Sequence, residues 1–385
     1  MALKFTKIVK ITACSVFILI SSNTSAQSEA VADKEMNKMY VGTYTKKEGH
    51  VDGKAEGIYL LHQDPDNGSL TNCGTQAKIV NPSFVKAGRQ GKFLFAVSEL
   101  GPGDDKSGYV YSYQIQENGN LKEISKLSTG GYAPCHIALD RSGKFVFVSN
   151  YMGGVVATYK VKSDGALEKV SELKLPEAET AHAHTVKISG DNRTAYVADL
   201  GNDRLLVYKF DVASGTLSKH EDFQVQLPEG AGPRHLSLSR NGNFVYSMNE
   251  LNSTVTTYKV LKGGALEIVQ TLSTLPESYL DKNSGADIHI GKDGKYLYAS
   301  NRGHNSIAIF SIDQVNGKLK NVDFVPVAGK TPRNFAISPF GKYLYAASQD
   351  TGNITTYTIN PENGKLKIQE PIFEIKTPVC LEFQK

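Results

Sequence analysis

The stretch Pro134-Cys135-His136-Ile137-Ala138-Leu139, a turn at Gly143-Lys144, and then Phe145-Val146-Phe147-Val148-Ser149-Asn150 is written again further along the chain. Pro233 to Leu238, Gly242 and Phe244 to Asn249 repeat it. So do Ala286 to Ile290, Gly294-Lys295 and Tyr296 to Asn301, and again Pro332 to Ile337, Gly341-Lys342 and Tyr343 to Ser348. A fixed period of about fifty residues marks a repeat architecture, in which each unit buries its apolar face only against its neighbours.

Each copy alternates apolar and polar residues with period two and favours β-branched and aromatic residues, which is a strand signature. In the copy around His136 the pattern predicts strand A at His136–Leu139, strand B at Phe145–Val148, strand C at Val155–Val161 and strand D at Leu167–Leu173. The turn before strand D recurs as Gly68-Ser69-Leu70, Gly119-Asn120-Leu121, Gly165-Ala166-Leu167, Gly215-Thr216-Leu217, Gly264-Ala265-Leu266, Gly317-Lys318-Leu319 and Gly364-Lys365-Leu366. Seven turns imply seven blades.

The chain ends agree with that count. Met39 to Tyr44 reads as a strand B without its strand A, and Thr377 to Phe383 as a strand A without its strand B. Together they complete one blade. The expected fold is all-β: a seven-bladed β-propeller over residues 38–385, four antiparallel strands per blade, closed by the two terminal strands. An open β-solenoid would not need complementary half-units at its ends. The absence of Trp rules out the Trp-Asp repeat type of propeller.

Residues 1–26 read as an export signal. Lys4, Lys7 and Lys10 precede a short apolar core from Ile11 to Ile20, and Thr24-Ser25-Ala26 supplies small residues for cleavage. The core is too short for a membrane span. Most of the apolar run follows Cys14 instead of preceding it, so lipidation there is not expected. Cleavage would lower the net charge from +4 to about +1, leaving no basic surplus for nucleic acid. Cys73, Cys135 and Cys380 would remain, too few for a disulfide scaffold and enough for at most one bridge. The expected location is the periplasm or the exterior.

In a propeller blade the start of strand A and the end of strand B lie on one face. There the copies diverge: Phe84, His136, Thr185, His235, Asp287, Asn334 and Cys380 occupy one equivalent position. Ser83, Cys135, His184, Arg234, Ala286, Arg333 and Val379 occupy the one before it. Just past strand B stand Tyr44, Glu99, Tyr151, Leu200, Glu250, Arg302 and Gln349. His182, His289 and His304 also fall on or near this face. Any one histidine could simply satisfy backbone or water. Asp199 and Asp203 suit a turn, and Asn150, Asn249 and Asn301 share a structural position. Arginines, glutamates and histidines converging on one mouth point collectively to a ligand.

Other chemistries lack their signatures. There is no Gly-x-Ser-x-Gly elbow and no His-Glu-x-x-His, and Gly329-Lys330-Thr331 lacks the upstream glycine of a phosphate-binding loop. His182 and His184 could share an ion on one strand face, but the sequence fixes no third ligand. No metal or cofactor is expected.

The motifs Tyr40-Val41-Gly42-Thr43-Tyr44-Thr45, Pro134-Cys135-His136, His182-Ala183-His184, Asp199-Leu200-Gly201, Gly232-Pro233-Arg234-His235, Asn249-Glu250 and Ser300-Asn301-Arg302-Gly303-His304 resemble the lactonase family of seven-bladed propellers. The resemblance runs from about Met39 to Phe383. It implies a lactone hydrolase of the 6-phosphogluconolactonase type, with His184, Glu250, Arg234 and Arg302 catalytic. His136, His182, His235, Glu99, Asp287, His304 and Arg333 are the expected substrate contacts. Either His184 or Glu250 would be the base. The expected partner is a small-molecule lactone bound by a monomer, although an exported chain puts the phosphorylated substrate in question. The competing expectation is a non-catalytic propeller that binds a peptide or carbohydrate.

Overall fold

Seven antiparallel sheets of four strands carry the repeat. The structure is a computed structural model that describes residues 1–2 and 35–384. The compact unit is Met36–Lys385; all but the first two residues of the expected export segment lie outside the described residues. Blade 1 takes strand A from Pro378–Phe383 and strand B from Asn37–Thr43. Met39 pairs with Phe383 and Val41 with Leu381, so the terminal strands share a blade as expected. Strands A and B are Val85–Ala87 and Phe93–Ser98 in blade 2, Tyr132–Leu139 and Phe145–Met152 in blade 3, and Ala183–Ile188 and Thr194–Asp199 in blade 4. They are Pro233–Leu238 and Phe244–Asn249 in blade 5, Ser284–Ile290 and Tyr296–Arg302 in blade 6, and Pro332–Ile337 and Tyr343–Ser348 in blade 7.

Alternation along strand B shares its side chains between two seams. In blade 3, Phe145 and Phe147 pack toward blade 4 with Val186, Ala195 and Val197. Val146 and Val148 pack toward blade 2 with Phe95, Val97 and Val110. The same division recurs at every seam, including that between blades 7 and 1, where Tyr343, Tyr345 and Ala347 meet Met39, Val41 and Leu381. The core is therefore a ring of apolar seams.

The repeated turn glycines have two physical reasons. All seven have φ between 70° and 89°, a region that costs other residues heavily. Each also lies against the preceding blade: a Cβ on Gly215 would come within 2.3 Å of Phe145, on Gly317 within 2.4 Å of Phe244, and on Gly364 within 2.4 Å of Tyr296. Four seams add a tether. Tyr40, Tyr246, Tyr298 and Tyr345 donate their hydroxyls to the carbonyls of Gly119, Gly317, Gly364 and Gly68 at 2.8–3.0 Å.

Candidate functional site

Six of the seven A–B pairs shift register at the mouth end of strand A. The shift leaves Cys135, His184, Arg234, Arg333 and Val379 without a partner across the ladder. In a regular strand, neighbours point to opposite faces; a bulge re-aims one of them, so both can serve the mouth. Arg234 and His235 do so, with Nη1 donating to His235 Nε2 at 3.2 Å. The chain enters several of these bulges through left-handed residues, Ala133, Thr331 and Thr377 among them, a strain of about 1–3 kcal/mol each.

Across blades 5 and 6 the charges are tightly committed. Glu250 is clamped by two arginines: Oε2 lies 2.8 Å from Arg234 Nε, and Oε1 lies 3.0 Å from Arg302 Nη2. The first contact is an ion pair without in-line hydrogen-bond geometry, and Arg302 Nε has no hydrogen-bond partner. Arg234 Nη1 and Arg302 Nη2 also hold the carbonyls of Ala286 and Gly285, each at 2.8 Å. Burial pushes the Glu250 carboxyl up, but Arg302, Arg234 and Arg333 together pull it down to about 2. Burial, with the neighbouring Arg302 and Arg333, lowers Arg234 to about 10.

Behind this clamp sits Asp287. It accepts from His235 Nδ1 at 2.7 Å, His289 Nε2 at 2.9 Å, Asn334 Nδ2 at 2.6 Å and the amides of Ile288 and Phe335. Burial raises its carboxyl, but His289 and His235 hold it well below the usual range. With five donors and 2% exposure, Asp287 braces strands A of blades 5, 6 and 7. Its role in the described structure is to join these strands, with both oxygens already engaged by protein donors. An arginine can only donate, so His235 accepts at Nε2 and carries its proton on Nδ1, facing Asp287. Burial and Arg234 lower its pKa to about 3.

His136 and His184 flank His235, with ring centroids 5.4 and 5.1 Å away. Burial depresses both well below 6.5, helped at His184 by Arg234 and at His136 by Lys187. That favours the uncharged ring in both, and the Nδ1 atom of each is buried with no hydrogen-bond partner. Such an atom costs roughly 1–3 kcal/mol until something bonds it.

Across blades 7, 1 and 2 the charges are held apart. Tyr44 accepts from Arg333 Nη2 at 3.2 Å and donates to Glu99 Oε2 at 3.0 Å, and the Arg333 guanidinium lies 5.6 Å from the Tyr44 ring centroid. Ser83 also bonds Glu99 Oε2. Val51 and Val379 pack on Tyr44, which is fully buried. A small hairpin, Lys47–Glu48 against Val51–Asp52, follows Tyr44. Lys46 pairs with Asp104 at 2.6 Å, linking the loops after strands B of blades 1 and 2.

Two predicted contacts sit apart. His304 bonds Ser306 at 2.7 Å and meets Tyr279, so it does not join the cluster. His182 stacks flat on Tyr151 at 4.2 Å and bonds the Tyr151 carbonyl, whereas His184 meets the same ring edge-on. Asp199 caps the His182 amide and Asp203 those of Gly230 and Gly232, as turn residues should. In the sequence Tyr44 and Asn334 are only repeat positions; their roles come from contacts across blades. Cys73, Cys135 and Cys380 are free. A cavity of about 590 Å³ is lined in part by Arg302, and one of about 870 Å³ by the hairpin after Tyr44 and by Gln349. Among the described residues no group of three or more His, Cys, Asp or Glu is arranged to hold a metal ion.

Comparison with known proteins bears on this arrangement. A 6-phosphogluconolactonase from Formosa agariphila is 35% identical over 315 residues, covering 78% of this chain and 86% of its own. One from Bacillus subtilis is 33% identical over 78% and 84%. The structure of a periplasmic gluconolactonase from Pseudomonas aeruginosa superposes with a TM-score of 0.84 at 30% identity, covering 91% of this chain and 99% of that one. The seven-bladed β-propeller lactonase family matches residues 38–383, and the chain belongs to that family.

Proposed function

We propose that this protein hydrolyses a sugar lactone, or another carboxylated lactone, at the mouth of the propeller channel. The observation that carries the reading is a His184 whose Nδ1 has no hydrogen-bond partner and whose pKa burial holds well below 6.5, beside an arginine pair fixed by one carboxylate. His184 is the base. Glu250, at about 2 and engaged on both oxygens, is too weak a base and instead sets the spacing of Arg234 and Arg302.

A water oxygen adds to the lactone carbonyl while His184 takes its proton, a step worth roughly 10²–10⁴-fold. The arginines stabilise the oxyanion that develops. The ring C–O bond then breaks, and the proton passes to the departing alkoxide, leaving an open hydroxy acid. A lactone is reactive enough that no covalent nucleophile is required.

The test follows lactone disappearance against the spontaneous rate, with and without chelator, over phosphorylated and unphosphorylated substrates. No acceleration on any aldonolactone or muconolactone overturns the reading. Location in the periplasm or exterior, after cleavage near Ala26-Gln27, is supported by the export pattern of residues 1–26 and by the periplasmic relative. Mass spectrometry of the mature N-terminus checks it, and an intact Met1 in cytosolic extract would reject it.

A further inference from the structure

The three rim arginines are not equally occupied. Arg234 and Arg302 are tied to Glu250 and to backbone carbonyls. Arg333 makes one hydrogen bond among the described residues, to Tyr44, and its side chain is only partly buried. Glu99 stands opposite, also partly exposed, with Oε2 held by Tyr44 and Ser83. Among the described residues Oε1 has no partner, and Glu99 forms no ion pair with Arg333. The buried Tyr44 hydroxyl lies between them and keeps them from collapsing into the kind of clamp seen at Glu250.

A guanidinium and a carboxylate held side by side suit a particular ligand. A hydroxyl chain can donate to the carboxylate and accept from the guanidinium at once. A phosphate can accept from Arg333 but offers Glu99 only like charge, and such a juxtaposition suppresses the wrong partner.

We propose that Arg333 and Glu99, spaced by Tyr44, form a subsite that selects an uncharged polyhydroxyl chain on the lactone and rejects a phosphorylated one. Tyr44 is a positioning residue. The inference rests on the hydrolytic reading above, since it assigns the substrate class of that site.

The experiment compares kcat/KM for glucono-δ-lactone and its 6-phosphate, and the Kd of gluconate and 6-phosphogluconate, in wild type, Glu99→Gln and Tyr44→Phe. Both ligands of each pair share the carbonyl end, so their ratio isolates the distal group. Wild type is expected to favour the unphosphorylated member at least about tenfold. Glu99→Gln, which is isosteric, should shrink that ratio about tenfold by improving the phosphorylated ligand. Tyr44→Phe should raise KM more than it lowers kcat. A wild type that prefers the phosphate, or a ratio that Glu99→Gln leaves unchanged while hydrolysis proceeds, overturns the subsite and spares the lactonase reading. Product binding with the expected ratio but no hydrolysis supports the subsite and removes the lactonase reading.

Discussion

The seams between blades and the mouth of the channel are built from the same repeat, yet they treat it in opposite ways. At the seams one solution is copied: apolar side chains from strand B, a left-handed glycine lying against the preceding blade, and in four cases a tyrosine tether. At the mouth the backbone device, a bulge, is copied six times while the side chains it presents differ: Cys135, His184, Arg234, Arg333, Val379 and, in blade 6, the pair Ala286 and Asp287. Packing alone would accept one residue throughout. A constant backbone with changing chemistry sets this face apart from the seams.

The comparison breaks most severely at ring closure. Deleting residues 377–385 removes strand A of blade 1 and strips Leu381 and Phe383 from the seam with Tyr345. Each seam depends on both neighbours, so the truncated chain is expected to lose cooperative unfolding in thermal melts. A truncation that melts like the full chain would mean the copied seams stabilise each blade independently.

The next effect belongs to the mouth. Arg234→Lys keeps the charge but loses the planar fork that reaches Glu250 and Ala286 together. Turnover on the best lactone is expected to fall on the order of 10²–10³ with little change in melting temperature. If the melting temperature drops while per-molecule activity holds, the Arg234–Glu250–Arg302 clamp is a brace between blades and not catalytic.

Acid should affect the mouth before the seams. His136, His184 and His235 have pKa values below 6.5 when folded, so the unfolded chain binds their protons first as pH falls. Stability therefore rises with pH up to about 6.5 and is lost below it, by about 1.4 kcal/mol per pH unit for each such histidine. For His235 this loss continues down to about pH 3. His136→Phe, beside Phe84, is expected to flatten the dependence of melting temperature on pH. The acid limb of kcat/KM should also have its midpoint below 6.5, because His184 stays neutral. An acid limb above 6.5 would remove His184 as the base.

The ring was legible because its rules are local. A Gly-x-Leu turn every blade and a period of two carry blade number, strand order and closure without any long-range contact. The candidate site was legible only as a set of rim positions. That Glu250 is shared by two arginines, that Asp287 is exhausted by five donors, and that Tyr44 keeps Arg333 from Glu99 depend on distances between blades, which no local pattern encodes. Strands A and B of blade 3 also reach Tyr132 and Met152, beyond the expected limits. The apolar alternation ends where the mouth residues begin, although the ladder continues. His304 shares a motif with Arg302 but not its surroundings, since it bonds Ser306 and meets Tyr279.

The smallest expected effect tests whether the seam tether adds to packing. Tyr298 is buried, and its hydroxyl donates to the Gly364 carbonyl at 3.0 Å. Tyr298→Phe keeps the ring against Ile307 and Leu344 and deletes one bond, so the expected cost is about 1 kcal/mol. Blades 2 and 3 carry Phe95 and Phe147 at the equivalent position, so those seams hold without a tether, and the ring is expected to survive the change. The converse substitution Phe147→Tyr brings a hydroxyl toward the Gly215 turn. If the tether is a transferable device, that variant should melt at or slightly above wild type, while Tyr298→Phe melts slightly below it. A drop of several kcal/mol for Phe147→Tyr would mean that its seam, where Phe147 meets Phe210 edge-on at 5.2 Å, has no room for the extra atom and closes by packing alone.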